Sequence, residues 1–225
     1  MTSLPIRIFI GYDPRQPIAY HVLCSSILSR ASRPVAITPL LLHTLPIERV
    51  GLTEFTYARY LVPYLCNYEG RALFLDSDML VLGDVAELFS LHNEEAVSVV
   101  HFDNGLFFER PSAMLFNCEQ CRDLTPEYID DEKNSPQSFD WAATVGDLPP
   151  EWNYLVGYSH LSEMKERIKL LHFTQGIPAY KECRDSEFAS HWFEEKDEML
   201  NHVSWLEIMG GSVHATPVLN RLKGK

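Results

Sequence analysis

Residues 71–84 read Arg-Ala-Leu-Phe-Leu-Asp-Ser-Asp-Met-Leu-Val-Leu-Gly-Asp, and the fold is decided here. Ala72 to Leu75 is an apolar run without polar alternation, the pattern of a strand buried on both faces of a parallel or mixed sheet. Asp76 and Asp78 follow at once, with only Ser77 between them. The chain leaves the sheet at the carboxyl end of such a strand, where open α/β sheets collect their ligands. Two carboxylates this close repel each other unless a cation sits between them or one takes a proton. A hard divalent ion, which seeks carboxylate oxygens, is one reading. A polar turn after a strand, for which Asp-Ser-Asp also serves, is the other. The stretch alone leaves both open.

Working outward, 225 residues suffice for one sizeable core. A single domain over 1–225 is expected, with its core at about 1–180 and a helical C-terminal segment at about 185–208. Hydrophobic residues make up 46% and charged residues 22%, as in soluble globular proteins. No apolar run approaches the roughly 20 residues that cross a bilayer. The opening Met-Thr-Ser-Leu-Pro-Ile-Arg-Ile lacks the basic stretch and long apolar run of a leader. No transmembrane segment and a cytoplasmic location are therefore expected.

A formal charge of −12 argues against nucleic acid, whose phosphates demand a basic face. An acidic protein that binds a small anion must do so through a metal or a few local cations. The five cysteines, Cys24, Cys66, Cys118, Cys121 and Cys183, are expected to be reduced and mostly buried. Cys118 and Cys121 form a CxxC, but no second pair completes a four-ligand zinc site.

Along the chain, Ile6 to Ile10 is a predicted strand ended by Gly11, and a helix is predicted from about Pro17 to Arg30, with Ile18, Val22, Leu23 and Ile27 on one face. Val35 to Leu42 reads as a second strand. Thr53 is the expected N-cap of a helix carrying Phe55, Tyr57, Ala58, Leu61 and Leu65, interrupted by Pro63. After the acid-bearing strand, a helical turn over Ala86–Phe89 is predicted, then strands at Ala96–Val100 and Ala113–Phe116. Residues 122–138, charged and with two prolines, read as a surface excursion or mobile loop. Trp141–Val145 is predicted as a helical turn, Ile168–Phe173 as a late strand bearing His172, and Glu187–Leu200 as an amphipathic helix; the tail from Gly210 has little pattern. Alternating strands and helices predict an α/β sandwich with a mainly parallel sheet. Neither Gly-x-Gly-x-x-Gly nor a P-loop motif is present, so a nucleotide's phosphates would have to be held by a metal.

Several stretches together resemble the nucleotide-sugar glycosyltransferases of the GT-A fold, and most closely family 8, the retaining group that includes glycogenin-like enzymes. They are Ile8-Phe9-Ile10-Gly11-Tyr12-Asp13, Thr56-Tyr57-Ala58-Arg59-Tyr60-Leu61, Leu73 to Val81, Pro149-Pro150-Glu151-Trp152-Asn153-Tyr154, and Leu171-His172-Phe173-Thr174-Gln175-Gly176. They occur in the family's order and span roughly the first 180 residues. The resemblance implies a GT-A-like three-layer α/β sandwich with a mixed, mainly parallel central sheet.

It also implies roles. Asp76 and Asp78 match the metal-binding DxD, and His172 matches the late histidine ligand; a lone histidine would more often be a core-edge residue. Two carboxylates, one imidazole and diphosphate oxygens suit Mn2+, with Mg2+ second. Gly11, Tyr12 and Asp13 match the loop that receives the base, although Tyr12 could equally cap the sheet edge. Arg59 matches an arginine beside the donor, with a surface salt bridge as the alternative. Ser77 and Gly176 lie within the matched donor-site motifs. Three segments depart from the pattern. Asn-Ser-Gly-Val is replaced by Pro111-Ser112-Ala113-Met114-Leu115-Phe116-Asn117. Asp-Gln-Asp survives only as Ser138-Phe139-Asp140-Trp141, which leaves Asp140 as the candidate for sugar contact or catalysis. Lys-Pro-Trp becomes Ile177-Pro178-Ala179-Tyr180, so the diphosphate lysine is absent there and Lys181 is the nearby substitute.

The resemblance thus implies metal-dependent, retaining transfer of a sugar from a nucleotide diphosphate donor, a UDP-sugar by likeness, to an acceptor hydroxyl on a glycan, lipid or small molecule. Two alternatives are a phosphatase of the haloacid dehalogenase type, which also uses Asp-x-Asp, and a non-catalytic module that binds nucleotide or glycan.

Overall fold

A computed structural model of the chain describes residues 4–91, 94–102, 105–159, 167–200 and 203–224. The apolar runs form the strands β1 (Ile6–Gly11), β2 (Val35–Leu40), β3 (Arg71–Leu75), β5 (Val97–Val99), β6 (Ala113–Asn117) and β7 (Val145–Asp147) of one sheet, in the order β2-β1-β3-β6-β5-β7. β1 runs parallel to β2 and β3, and β5 parallel to β7, while β6 is antiparallel to both its neighbours. The central sheet is mixed and mainly parallel, as expected.

Both faces of this sheet are covered, which is why residues 72–75 carry no polar alternation. Successive strand residues point to opposite sides. Ile6, Ile8, Ile10, Leu73, Leu75 and Leu115 pack with Leu23 and Ile27 of helix α1 (Pro17–Arg30) on one side. Phe9, Ala72, Phe74, Met114 and Phe116 meet Tyr60, Leu61, Val62 and Trp141 on the other. Truncating Phe74 to alanine would therefore cost roughly 3–5 kcal/mol.

A second sheet sets up the site. Strand β4 (Met79–Val81) follows directly after Asp78 and pairs antiparallel with β9 (Leu170–His172), which is flanked on its other edge by β8 (Tyr154–Leu155). Its register places His172 opposite Met79. A histidine about a hundred residues downstream is thereby set beside the acid pair. Leu80, Leu171, Phe173 and Trp192 bind this sheet to Ala19 and Val22 of α1.

Among the short helices, α2 (Val62–Leu65) and α3 (Ala86–Ser90) flank β3 and β4 in sequence, and α4 (Pro126–Asp130) follows β6. α5 (Ala189–Met199) docks on α1 through buried Glu195, which accepts from Ser25 Oγ and Arg30 Nη1, both at 2.7 Å. α6 (Trp205–Met209) and α7 (Ala215–Lys223) follow. No helix among the described residues is long and apolar enough to cross a membrane.

Several local expectations are corrected. Thr53 caps no helix: its N–H and hydroxyl turn onto Thr56 Oγ1, and a 3-10 turn over Ala58–Leu61 leads into α2, with Pro63 in that helix's first turn. β2 stops at Leu40 and a 3-10 turn over Leu42–Thr44 follows. Trp141–Val145 is not helical; Trp141 Nε1 donates to Pro136 O at 2.9 Å, and Val145 opens β7. Residues 122–138 form the expected surface excursion, though with α4 inside it and with Asp130 accepting from the backbone of Glu48 and Arg49, which ties it to the loop after β2. The tail from Gly210 contains α7. All five cysteines are free thiols, with Cys66, Cys118 and Cys121 buried.

Candidate metal centre

The Asp-Ser-Asp turn is held from both sides. Asp76 N–H donates to Ser112 O at 2.9 Å, and Asp78 O accepts from Phe173 N–H at 2.9 Å. Pinned in this way, and with His172 fixed by its register, one ligand atom each of Asp76, Asp78 and His172 comes within 4.8 Å of the others. His172 Nε2 lies 3.3 Å from Asp78 Oδ1. On its far side, Nδ1 lies 3.2 Å from Asn153 Oδ1. Asn153 Nδ2 donates to Ser112 Oγ at 2.8 Å, and Ser112 Oγ donates to Glu109 O at 2.5 Å. With Nδ1–H donated to Asn153 Oδ1, the neutral ring would turn its Nε2 lone pair toward Asp78. That is the tautomer a metal-ligating histidine needs.

Asp76 is 8% exposed and His172 1%. Asp76 Oδ1 and Asp78 Oδ1 are buried with no hydrogen-bond donor. Arg59 is the one guanidinium in contact with the acid pair among the described residues. Its Nη2 lies 3.1 Å from Asp76 Oδ1, without hydrogen-bond alignment, and its Nη1 donates to Pro111 O at 2.8 Å. Burial pushes the Asp76 carboxyl up to about 7, against the pull of Arg59 and with the help of Asp78. For His172, burial disfavours charge, but Asp78 and the other carboxylates outweigh it and hold the imidazole above its ordinary value. Orphaned carboxylate oxygens beside a correctly presented imidazole nitrogen form a donor set suited to a divalent cation. The cluster could hold such an ion.

No protein-family model matches the chain. Protein CDI of Arabidopsis thaliana is 33% identical over 227 residues, covering 86% of this chain and 87% of CDI. The chain belongs to the CDI family. Among solved structures, glycosyltransferase GlyE of Streptococcus pneumoniae TIGR4 superposes with a TM-score of 0.62 at 17% identity, covering 88% of this chain and 63% of that one. The WbbM bifunctional glycosyltransferase gives 0.61 at 16%, covering 87% of this chain and 51% of its own. Galactosyltransferase LgtC, solved with donor and acceptor sugar analogs, gives 0.58 at 12%, covering 90% and 99%. The chain thus spans about half of WbbM and less than two thirds of GlyE. At these identities the likeness establishes the GT-A-like fold.

Other residues singled out in the sequence fall around the acid–histidine cluster of this CDI-family chain in different ways. Ser77 is buried, with its hydroxyl unpartnered. Gly11 ends β1 where a Cβ would fall 2.3 Å from the Phe55 ring. Tyr12 sits edge-on to Tyr20, with centroids 5.4 Å apart. Asp13, 2% exposed, has both oxygens taken by Arg15 at 2.9 and 2.5 Å, and that guanidinium holds its carboxyl below the ordinary value. Gly176 has φ +120, and a Cβ there would meet Cys183 Sγ at 2.8 Å, so glycine is required. Tyr180 Oη donates to Gln16 Oε1 at 2.8 Å, joining the loop after His172 to the loop before α1. Its phenol lies in the field of Asp13, Arg15 and Asp78. Lys181 is exposed and opens a 3-10 turn. Asp140 is exposed; its carboxylate accepts from Ser138 Oγ at 2.6 Å and lies near the Tyr128 phenol, and no contact joins it to the cluster.

Sequence reasoning missed Glu109. It is buried, its Oε2 is 3.8 Å from His172 Nδ1, and its Oε1 accepts from Thr174 Oγ1. It lies in the 3-10 stretch Phe107–Ser112, where nothing in the sequence marks it. Asn153 was within a quoted motif, but only the fold reveals that it orients His172.

Proposed function

We propose that this chain transfers a sugar from a nucleotide diphosphate donor, a UDP-sugar, to an acceptor hydroxyl with retention at the anomeric carbon, in the manner of family 8. The observation that carries the reading is the convergence of Asp76, Asp78 and His172 on one point within a GT-A-like fold. Those three side chains would hold Mn2+, or Mg2+ in its place; such an ion supplies Lewis-acid stabilisation of the leaving diphosphate, worth several kcal/mol. Asn153 keeps the His172 tautomer, and Arg59 steadies Asp76. Tyr12 and Gly11 offer a surface for the base. Arg15 and Lys181 stand in for the missing lysine as cations for the diphosphate's outer oxygens. With Asp13 occupied by Arg15, base recognition rests more on stacking than on that carboxylate. Asp140 is the candidate for sugar contact or catalysis, and Glu109, buried behind the His172 ring, supports that ring's position.

A thermal-shift panel of nucleoside diphosphates and their sugars, with and without Mn2+, tests this. Ligand at a hundredfold its Kd stabilises by about 2.7 kcal/mol, and each kcal/mol moves the Tm of a chain this size by roughly 2–4 °C. A shift that requires both Mn2+ and a nucleotide, largest for UDP compounds, is expected. No shift with any pair contradicts the reading, and stabilisation without donor hydrolysis would leave a binding module.

A further inference from the structure

At the amino ends of the central strands, opposite the acid cluster, Arg7 of β1, Arg33 just before β2 and Arg71 of β3 line one cavity of about 580 Å³. Each guanidinium is partly used by the chain itself. Arg71 Nη1 donates to Phe89 O at 3.0 Å and Leu91 O at 3.3 Å. Arg7 donates to Arg71 O through Nε and Nη2, at 3.3 and 3.1 Å, and to Glu69 O. Arg33 Nη2 reaches Leu4 O at a long 3.4 Å. None of the three forms an ion pair among the described residues, and Arg33 Nε, Arg71 Nε and Arg71 Nη2 are buried with no partner. Burial also draws Arg71 below its ordinary value.

Backbone carbonyls cannot neutralise three fixed positive charges. The nearby carboxylates are Glu69, exposed on the cavity rim, Glu119, whose Oε1 accepts from Gly70 N–H in the cavity wall at 3.5 Å, and Asp84, which lies in the field of Arg33 but is engaged by the backbone of Ser32 and Ala86. A chain with a net charge of −12 has acidic groups to spare, yet among the described residues none forms an ion pair with these guanidiniums. Planar guanidinium forks match the oxygens of phosphate, and three of their nitrogens, Arg33 Nε, Arg71 Nε and Arg71 Nη2, have no partner. Apart from Glu69 and Gly70, the rest of the wall is apolar, from Leu4, Pro5, Ile6, Ala36 and the Phe89 ring, with Arg71 Cζ 5.6 Å from that ring's centre. The volume is that of a small-molecule site.

We propose that this cavity is a binding site for the phosphate group of a small ester with an apolar body, separate from the Asp76–Asp78–His172 cluster. The test uses the full chain in EDTA, so that ion-dependent binding at the acid cluster is silent, with phenyl phosphate, inorganic phosphate and phenol titrated by calorimetry. Phenyl phosphate binds saturably and more tightly than inorganic phosphate, and phenol does not bind. Arg33→Gln and Arg71→Gln each weaken phenyl phosphate at least about tenfold, the size expected for a charge-assisted pair. Asp78→Asn, which disables the acid cluster, leaves that binding in place. Should Arg71→Gln fail to fold, Arg33→Gln decides, since among the described residues its guanidinium donates only to Leu4 O. No saturable binding of either phosphate by the wild-type chain overturns the proposal. So does binding that survives Arg33→Gln, or that disappears in Asp78→Asn. The ion-dependent nucleotide experiment reads the other site, so one proposal can fail without the other.

Discussion

The two ends of the central sheet carry opposite unfinished chemistry. At the carboxyl end, Asp76 and Asp78 leave buried oxygens without donors; at the amino end, Arg33 and Arg71 leave buried N–H groups without acceptors. The difference lies in how each group is held. The carboxylates are short and fixed by backbone bonds and by the Met79–His172 register, so their geometry is set by the fold. The guanidiniums sit on long stems and reach back to carbonyls of their own loops, so their geometry can adapt. A rigid acid pair with an imidazole suits an ion of defined coordination; an adaptable basic pocket suits an oxyanion.

The comparison breaks first, and most severely, at Asp78. Asp78→Asn is expected to abolish the Mn2+-dependent nucleotide shift while leaving the far-ultraviolet circular dichroism unchanged; a shift of undiminished size would remove the acid end from the account. Asn153→Ala comes next. Without its acceptor, the His172 ring loses its fixed orientation, and Mn2+ affinity is expected to fall roughly 10–100-fold, alongside a stability loss of about 1–3 kcal/mol from the buried bonds to His172 and Ser112. Equal affinity in the variant would mean that the neighbouring Glu109 suffices. Smallest is the Asp13–Arg15 pair, which sharpens the contrast because its charges are already matched. Asp13 is depressed in the folded state, so its stabilising contribution is present above its unfolded value near 3.8 and is lost as pH falls through the lower folded value. Urea midpoints measured from pH 7 down to 3 should therefore fall less steeply in Asp13→Asn than in the wild type, and parallel curves would count against the pair.

Legibility in the sequence followed the same divide. The apolar run at 72–75 and the two acids after it announced a buried strand and a polar strand end, because two-sided burial removes alternation. His172 was legible only through the order of motifs: its ring reaches the acids by pairing across a sheet whose strands are two or three residues long, too short to show a period. The same brevity hid β7, whose three residues show no period, while Trp141 just before it packs against Phe116, Phe139 and Tyr60 rather than opening a helical turn. Ser204 and Glu207 form a capping box whose spacing was readable and passed unnoticed. Glu109 and the three arginines left no trace, since positions 7, 33 and 71 share no motif and meet only through strand order.

Of all these measurements, manganese electron paramagnetic resonance on the purified chain bears most directly on the acid–histidine centre. One Mn2+ per chain, bound by the wild type, weakened by His172→Ala and absent in the Asp76→Asn, Asp78→Asn double variant, is the predicted result. Binding that is unaffected by the double variant, or no bound ion in the wild type, would contradict the centre on which the proposed transfer rests.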